Sequence, residues 1–348
     1  MVGAMTAPRW LPLALTLLSG ALATGACYDN SPVPTQQVAG PYVPPPPVTP
    51  VVPPADPPYA PPVGEAFVVD TGATPGGRLV FAFTNDAFVG TGRIYSMLPD
   101  GTGATPLTPS DDDAWQPVWS PDDALIAYEL YDGGIVVVRA DGSGRHAVAN
   151  EGRNPFWLPD GRIGFSCIGG ICAVDASGAN FTRLLELPNG DLDRSYTYSP
   201  DGSMIAFVHF VENESHTYYG AMPTNIYVMR RDGTDVHRLT TTDSASTYEY
   251  APSWSRDGRQ IAFFSTSYGI AVADADGGRL HGVSHSPSSR VIGLSGPSWS
   301  PDGTKVLFND GDSGKLYIAN ADGSGLIRRV TPVLAGGYPV GSFSWSNR

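Results

Sequence analysis

The heptapeptide PSWSPDG at Pro297–Gly303 decides the fold, because near-copies of it recur along the chain. The copies share an aromatic residue followed by Ser-Pro-Asp-Gly or a close variant, and they are PVWSPDD at Pro117–Asp123, PFWLPDG at Pro155–Gly161, YTYSPDG at Tyr196–Gly202, PSWSRDG at Pro252–Gly258 and FSWSNR at Phe343–Arg348. Their central aromatics are 38, 41, 56, 45 and 46 residues apart. A period of about 40–50 residues indicates a repeat architecture in which each unit packs against its neighbours.

Each copy opens a unit of four short β-strands. An apolar strand follows the PDG turn, as at Ile261–Phe264, and the next strand ends in an Asp-Gly turn, as in IYVMRRDG at Ile226–Gly233. A short strand such as Arg238–Thr240 completes the unit. Four strands punctuated by Asp-Gly turns are typical of a propeller blade. The chain is therefore predicted to be all-β, a six-bladed β-propeller.

The first and last units are incomplete. Arg78–Thr108 lacks the aromatic strand, and Phe343–Arg348 is such a strand with nothing after it. Together they make one blade, so we expect the ring to be closed by pairing of the N- and C-terminal strands, which removes exposed sheet edges. The strand-like segment Phe67–Asp70 (FVVD) could compete for that position.

These motifs resemble the TolB-like β-propeller repeat family, whose repeat is close to P-x-W-S-P-D-G followed by I-A-F and I-Y-V-M-x-x-D-G. The resemblance covers about residues 78–348 and implies the propeller fold. It departs from the family where a small α/β domain would precede the propeller, because a proline-rich segment stands there. The repeat recurs in proteins of many functions, so the resemblance leaves the activity open.

The N-terminal sequence predicts an export signal followed by a spacer. Residues 1–26 hold an apolar run and end in small residues before Cys27, which resembles a lipoprotein cleavage box and predicts lipidation of Cys27. Ordinary cleavage near Ala26, leaving Cys27 free, is the alternative. Residues 28–64 contain 14 prolines and predict a disordered linker. The expected domains are thus 1–26 signal peptide, 27–64 lipidated cysteine and linker, and 65–348 propeller.

The two remaining cysteines flank an Ile-Gly-Gly-Ile sequence. A two-residue Gly169–Gly170 turn would place Cys167 directly opposite Cys172, and Ile168 opposite Ile171. Opposed strand residues lie within reach of a disulfide, and export permits oxidation. We therefore expect a Cys167–Cys172 disulfide, with a reduced buried pair as the alternative.

The composition argues against several classes of ligand. The net charge of −13 argues against nucleic acid, whose phosphates need a basic surface. The six histidines are scattered over the chain, and the His281–His285 spacing does not fall on a helix. We expect no metal and no cofactor.

Function is expected on one face of the ring. The PDG and Asp-Gly turns share one face, which we call the turn face, and the connections of variable length share the other, which we call the loop face. Aromatic and arginine side chains in loops suit partner binding. The candidate binding residues are Trp115, Arg153, Arg194, Tyr196, His216, Tyr218, Tyr248, Tyr250, Arg290 and Tyr338.

These observations together predict a lipid-anchored, exported envelope protein that acts as a non-catalytic binding scaffold. Its expected location is the outer membrane, facing the periplasm or the cell surface. The expected partner is an envelope protein or a cell-surface ligand, and we expect no catalytic residues. The alternative is an enzyme of the sugar-lyase or hydrolase type that uses the central funnel.

Overall fold

A computed structural model describes residues 76–84, 92–186, 195–210, 224–240, 248–284, 296–309, 316–324, 328–330 and 338–348. The signal peptide, Cys27, the proline-rich linker and Phe67–Asp70 lie outside these residues. Within the described part of the chain, no helix is long and apolar enough to cross a membrane.

The described residues fold into six four-stranded antiparallel sheets. The strands, in chain order, are β1 (Leu79–Thr84), β2 (Arg93–Met97), β3 (Thr105–Pro106), β4 (Ala114–Trp119), β5 (Leu125–Leu130), β6 (Ile135–Arg139), β7 (His146–Ala149), β8 (Arg153–Trp157), β9 (Ile163–Cys167), β10 (Gly170–Val174), β11 (Thr182–Glu186), β12 (Tyr196–Tyr198), β13 (Met204–Phe210), β14 (Thr224–Arg230), β15 (His237–Arg238), β16 (Glu249–Trp254), β17 (Gln260–Ser265), β18 (Gly269–Asp274), β19 (Leu280–Ser284), β20 (Ser298–Trp299), β21 (Lys305–Asn309), β22 (Leu316–Asn320), β23 (Arg328–Arg329) and β24 (Tyr338–Trp345). Blade 1 has the order β24-β1-β2-β3, and blades 2 to 6 take the following strands four at a time. This confirms the six-bladed propeller.

The terminal strands close the ring within blade 1. β24 pairs antiparallel with β1, with Leu79 opposite Trp345 and Phe81 opposite Phe343. Beyond the strand, the Ser346 N–H donates to the carbonyl of Arg78 (2.8 Å), and the Ser346 hydroxyl accepts the Arg78 N–H (2.8 Å). The predicted closure by the two chain ends is confirmed, with β24 longer than the aromatic motif that predicted it.

The hydrophobic core is divided among the blade junctions. One cluster, for example, joins Val80 and Ile94 of blade 1 to Trp119, Ile126 and Tyr128 of blade 2. Each sheet is therefore buried by its neighbours, as a repeat period of this length predicts.

The SPDG turns are held by one hydrogen-bond pattern. In blade 4 the Ser199 hydroxyl donates to Asp201 Oδ1 (2.5 Å) and accepts the N–H of Met204 (3.0 Å). The hydrogen bond from Ser199, followed by those from Ser203, holds the pKa of Asp201 below its usual value. Gly202 follows at φ 70°, a conformation that favours glycine. Equivalent Ser–Asp pairs occur at Ser120–Asp122, Ser255–Asp257 and Ser300–Asp302.

The repeat aromatics link successive blades. The indole N–H groups of Trp157, Trp254 and Trp299 donate to carbonyls of the preceding first strand, at Val118 (3.1 Å), Thr197 (3.2 Å) and Ser253 (3.0 Å). We call this series the indole belt. The belt is interrupted at blade 1, where Trp345 donates to the Gly76 carbonyl (3.0 Å), and at blade 2, where the Trp119 N–H has no partner among the described residues.

The cysteine hairpin has a different register from the one that the sequence suggested. Cys167 and Cys172 are joined by a disulfide, with Cα atoms 5.8 Å apart. However, Cys167 lies opposite Gly170 and Cys172 lies opposite Phe165, so the predicted direct opposition of Cys167 to Cys172, and of Ile168 to Ile171, was wrong. The turn is Ile168–Gly169, because Gly170 belongs to β10, where a Cβ would lie 2.0 Å from the Leu185 carbonyl oxygen.

Candidate functional site

Three of the first strands carry a bulge close to the loop face. The bulge residue has a positive φ of 52–53° although it is not glycine. Its backbone N–H donates to a side chain of the preceding blade or of the segment leading into it, and this bond accounts for the unusual conformation. The bulge residues and their acceptors are Gln116 with Ser342 (3.1 Å), Asn154 with Glu129 (2.6 Å) and Ala251 with Ser195 (2.7 Å).

The bulges place three of the predicted binding residues at one level of the ring. Trp115, Arg153 and Tyr250 each directly precede a bulge residue. Trp115 lies opposite Glu129, and Tyr250 lies opposite Phe264, at the equivalent position of its own sheet. Residues from blades 2, 3 and 5 thus occupy one structural position, fixed by cross-blade hydrogen bonds.

Trp115 is anchored more firmly than a free binding residue. Its indole N–H donates to Asp113 Oδ1 (2.8 Å), which also accepts the backbone N–H of Gly92 (2.8 Å). A Cβ at Gly92 would lie 2.9 Å from the Trp115 ring, so the indole rests directly on the backbone of blade 1. Trp115 therefore contributes to the junction of blades 1 and 2.

Arg153 and Glu129 form a polar bridge between blades 2 and 3. Glu129 is buried and accepts the Asn154 N–H, while the Arg153 guanidinium lies 3.8 Å from its other oxygen. Arg153 also donates to the carbonyl of Tyr131 (3.1 Å). Because the Arg153 side chain is otherwise exposed, it presents a positive charge on the loop face.

Blade 5 contributes a stack of three aromatic rings. Tyr248 and Tyr250 are nearly parallel, with ring centroids 6.3 Å apart and 5° between their planes. Tyr250 in turn stacks on Phe264 at 6.1 Å. The outer tyrosine offers a flat aromatic surface with a polar edge, which suits the binding of a protein side chain or a sugar.

Tyr196 has a structural role at the junction of blades 3 and 4. Its hydroxyl hydrogen-bonds to Ser166 Oγ (2.9 Å), and its ring packs edge-on against Phe156 at 5.7 Å. Burial raises the pKa of Tyr196, so the hydroxyl stays neutral. It joins two blades rather than facing a partner.

The other candidate residues lie outside the described part of the chain. Arg194, His216, Tyr218 and Arg290 are among them, and of Tyr338 only its place at the start of β24 is described. Their membership of the binding surface remains a prediction.

Sequence reasoning missed two exposed apolar residues on the same face. Tyr131 is 67% exposed and Ile168 is 83% exposed, and they sit in the hairpin turns between the second and third strands of blades 2 and 3. Exposed large apolar side chains at neighbouring turns are typical of contact surfaces. For Ile168 the signal was its place beside Gly169–Gly170, which the sequence analysis assigned to the hairpin alone, and Tyr131 was not considered.

Two of the described histidines contact the next blade. His146 lies 2.8 Å from the carbonyl of Ala176 at the junction of blades 2 and 3, and His281 lies 2.9 Å from the carbonyl of Ala321 at the junction of blades 5 and 6. Among the described residues, no three His, Cys, Asp or Glu side chains cluster as a metal site would require.

A buried ion pair stabilises the segment that leads into β4. Asp112 accepts hydrogen bonds from Arg145 and from the Tyr128 hydroxyl (2.7 Å), and both Asp112 and Tyr128 are buried. Burial, followed by the bond to Asp112, raises the pKa of Tyr128. The three side chains hydrogen-bond to one another, so we interpret the cluster as a structural ion pair.

Two cavities lie on the turn face, where the sequence suggested no site. One, of about 310 Å³, lies between blades 3 and 4 and is lined by residues such as Tyr198 and Arg231. The other, of about 690 Å³, lies between blades 4 and 5 beside Trp254 and His237. The turns that line these cavities have nearly the same sequence in every blade, so nothing in the sequence indicated a cavity there.

Known proteins share the repeat and the fold. No family model matches the chain. A TolB homolog of Chlorobium chlorochromatii is 32% identical over 142 residues, which are 38% of this chain and 31% of that protein. An uncharacterized peptidase, YuxL of Bacillus subtilis, is 32% identical over 114 residues, 32% of this chain and 16% of its own length. The chain thus spans less than a third of either relative.

A solved structure extends the likeness to the whole ring. The crystal structure of TolB from Acinetobacter baumannii superposes with a TM-score of 0.58 at 22% identity, covering 78% of this chain and 68% of that one. At this identity the likeness establishes the fold. In fold and in repeat sequence, this chain is a TolB-like six-bladed β-propeller.

Proposed function

We propose that this propeller is a non-catalytic binding scaffold of the cell envelope, and that it binds a protein partner through the loop face. The observation that carries the proposal is the pair of bulges in blades 3 and 5, which hold Arg153 and Tyr250 at one level of the ring. A backbone kept in an unfavourable conformation by cross-blade bonds positions these side chains before a partner arrives.

The chemistry of this face suits protein recognition. It offers the Tyr248–Tyr250 stack, the Arg153 guanidinium and the exposed Tyr131 and Ile168. Aromatic residues and arginine dominate the energetics of protein interfaces because they bury large areas or donate several hydrogen bonds. Of the histidines that a lyase could use to hold a metal, His146 and His281 are bonded to backbone carbonyls at blade junctions.

The anchoring part of the proposal rests on sequence. Lipidation of Cys27 would attach the propeller to the outer membrane through the proline-rich linker of residues 28–64. The resemblance to TolB proteins supports an envelope location and a protein partner.

The experiment is capture of partners from detergent-solubilised envelopes with the full chain. The test variants are Arg153→Ala and Tyr248→Ala, and the control is Phe181→Ala. Phe181 is an aromatic residue that is 61% exposed next to a turn of the opposite face. We expect both test variants to weaken capture about tenfold or more, with the Tm of Tyr248→Ala nearly unchanged and that of Arg153→Ala lowered by loss of the bridge to Glu129.

The control variant should capture the same partner as the wild type. Loss of capture with Phe181→Ala and its retention with both test variants would place the binding surface on the turn face and contradict the proposal. Turnover of envelope glycans by the purified protein would favour the enzyme alternative.

A further inference from the structure

The repeat aromatic differs in blade 4, where Tyr198 stands in place of tryptophan. By the geometry of the indole belt, a tryptophan here would donate to the carbonyl of Phe156, the residue that precedes Trp157. Tyr198 has no indole N–H, and its ring stacks on Phe156 with centroids 4.8 Å apart and 12° between planes. The substitution therefore replaces a hydrogen bond by a stacking contact and brings a hydroxyl to this junction.

The Tyr198 hydroxyl lies against the cavity of about 310 Å³ between blades 3 and 4. Tyr198 is 8% exposed as a residue, and its hydroxyl keeps some solvent-accessible surface and makes no hydrogen bond with a described residue. Burial raises the pKa of Tyr198 to about 12, so the hydroxyl remains a neutral donor near pH 7. A hydroxyl that has no protein partner and opens to a cavity can donate to a bound ligand.

Arg231 places a positive charge beside this hydroxyl. It lies on the Asp-Gly turn of blade 4 and lines the same cavity. Its guanidinium makes no hydrogen bond or ion pair with the described residues, and its charge opposes the upward shift of the Tyr198 pKa. The two groups thus form a paired donor site for an anion.

The other charged groups of the cavity are already engaged. Arg162 donates to Asp160 Oδ2 (2.9 Å) and to Thr182 Oγ1 (3.0 Å). Asp201 accepts the hydroxyls of Ser199 and Ser203. Arg183 donates to the carbonyls of Ile168 and Gly169, both at 3.0 Å. Arg231 is therefore the lining cation that remains open to a ligand among the described residues.

The remaining wall of the cavity consists of Gly202 and of the apolar side chains of Leu158, Pro159 and Leu184. We propose that this cavity binds a small carboxylate with an apolar body, such as a hydrophobic amino-acid derivative or the C-terminal residue of a peptide. The carboxylate accepts hydrogen bonds from Arg231 and Tyr198, and the apolar body packs on the two leucines. The volume lies at the small end of the range of about 300–1,000 Å³ for ligand pockets.

The test is calorimetric titration of the full chain with N-acetyl-L-leucine, and with N-acetyl-L-leucinamide as the matched probe without charge. We expect the acid to bind at least tenfold more tightly than the amide. Equal affinity for the two probes, or no heat from the acid at millimolar concentration, would overturn the proposal.

Three variants locate the site. Tyr198→Phe keeps the stacking ring and removes the hydroxyl, and Arg231→Gln removes the charge from an exposed turn; each should weaken binding of the acid at least tenfold. The control is Arg230→Gln, because Arg230 pairs with Asp235 (3.4 Å) outside the cavity, and it should bind within about twofold of the wild type. Unchanged affinity in both test variants would place any binding elsewhere and refute the assignment.

A fourth variant, Tyr198→Trp, separates the site from the fold. The indole restores the belt bond to Phe156 and brings no hydroxyl to the cavity, so we expect a Tm at or above that of the wild type together with weaker acid binding. Retained binding in this variant contradicts the proposal.

Discussion

Removing the last three residues, Ser346–Arg348, tests how the ring is locked. β24 ends at Trp345, so this truncation leaves the pairing of β24 with β1 intact. It removes the bonds that Ser346 makes to Arg78, those of Asn347 to Asp123 and Ser120, and one bond from the Arg256 guanidinium to the Ser346 carbonyl. The truncation therefore isolates the polar contacts of the C-terminus.

The magnitude follows from the kinds of bond lost. Three are neutral and three involve the charge of Asp123 or Arg256. At about 1 kcal/mol for a neutral bond and about 2 kcal/mol for a charged one, the upper limit is roughly 9 kcal/mol. Water will reach most of the vacated groups, so we expect about half of this limit, roughly 4 kcal/mol. In a domain of this size that corresponds to a fall in Tm of about 8 °C.

Thermal unfolding followed by near-ultraviolet circular dichroism is the assay. Arg348→Ala is the control, since it keeps the carbonyl that accepts the Ser346 hydroxyl, and its Tm should stay within about 1 °C of the wild type. A truncated protein whose Tm lies within about 2 °C of the wild type would show that these contacts do not lock the ring.

Three further predictions concern other parts of the chain. In exported protein, Cys167 and Cys172 should resist alkylation until reduced, and replacing both by serine should cost about 2 kcal/mol in urea unfolding; rapid alkylation of unreduced protein contradicts this. The pKa of Asp201 is lowered in the folded state, so its stabilising contribution is present above the unfolded pKa and is lost as pH falls through the folded value. Ser199→Ala should therefore lower stability near pH 7 and make a smaller difference in acid, once the pH has fallen below the folded pKa of Asp201, and a deficit that grows in acid would refute the sign. Cys27→Ala should release a membrane-associated protein into the soluble exported fraction, and a wild-type protein that is already soluble and free of lipid by mass spectrometry would end the lipoprotein hypothesis.

The local repeat was enough to predict the blades, their turns and the closing pair of strands. Each of these depends on residues close together in the sequence, such as Ser199 and Asp201, or on a unit split visibly between the two ends. The bulges at Gln116, Asn154 and Ala251 were not predictable, because no glycine marks them. Their conformations depend on partners such as Ser342 that lie far away in sequence.

In the candidate site, too, residue type and local position were predictable from the sequence, whereas contacts with distant neighbours were not. Sequence reasoning found Arg153 and the Tyr248–Tyr250 pair from residue type and position in the connections. It could not tell that Trp115 and Tyr196 serve blade junctions, since this depends on Asp113, Gly92 and Ser166 as neighbours. The change from tryptophan to Tyr198 was visible in the alignment of repeats, but its meaning depended on the free hydroxyl and on Arg231.

The indole belt has a consequence for assembly. Because a repeat carries both the donor, its tryptophan N–H, and the acceptor, the carbonyl of the preceding residue, one blade is complementary to the next in a head-to-tail sense. Such an interface is heterologous, and it closes into a ring only if the rotations between successive units add up to one full turn. A fragment with an unpaired donor at one end and an unpaired acceptor at the other would tend to add further copies of itself. Blade 1 prevents this by joining the two chain ends in one sheet, where Trp345 turns its indole to Gly76 and the series of identical contacts stops.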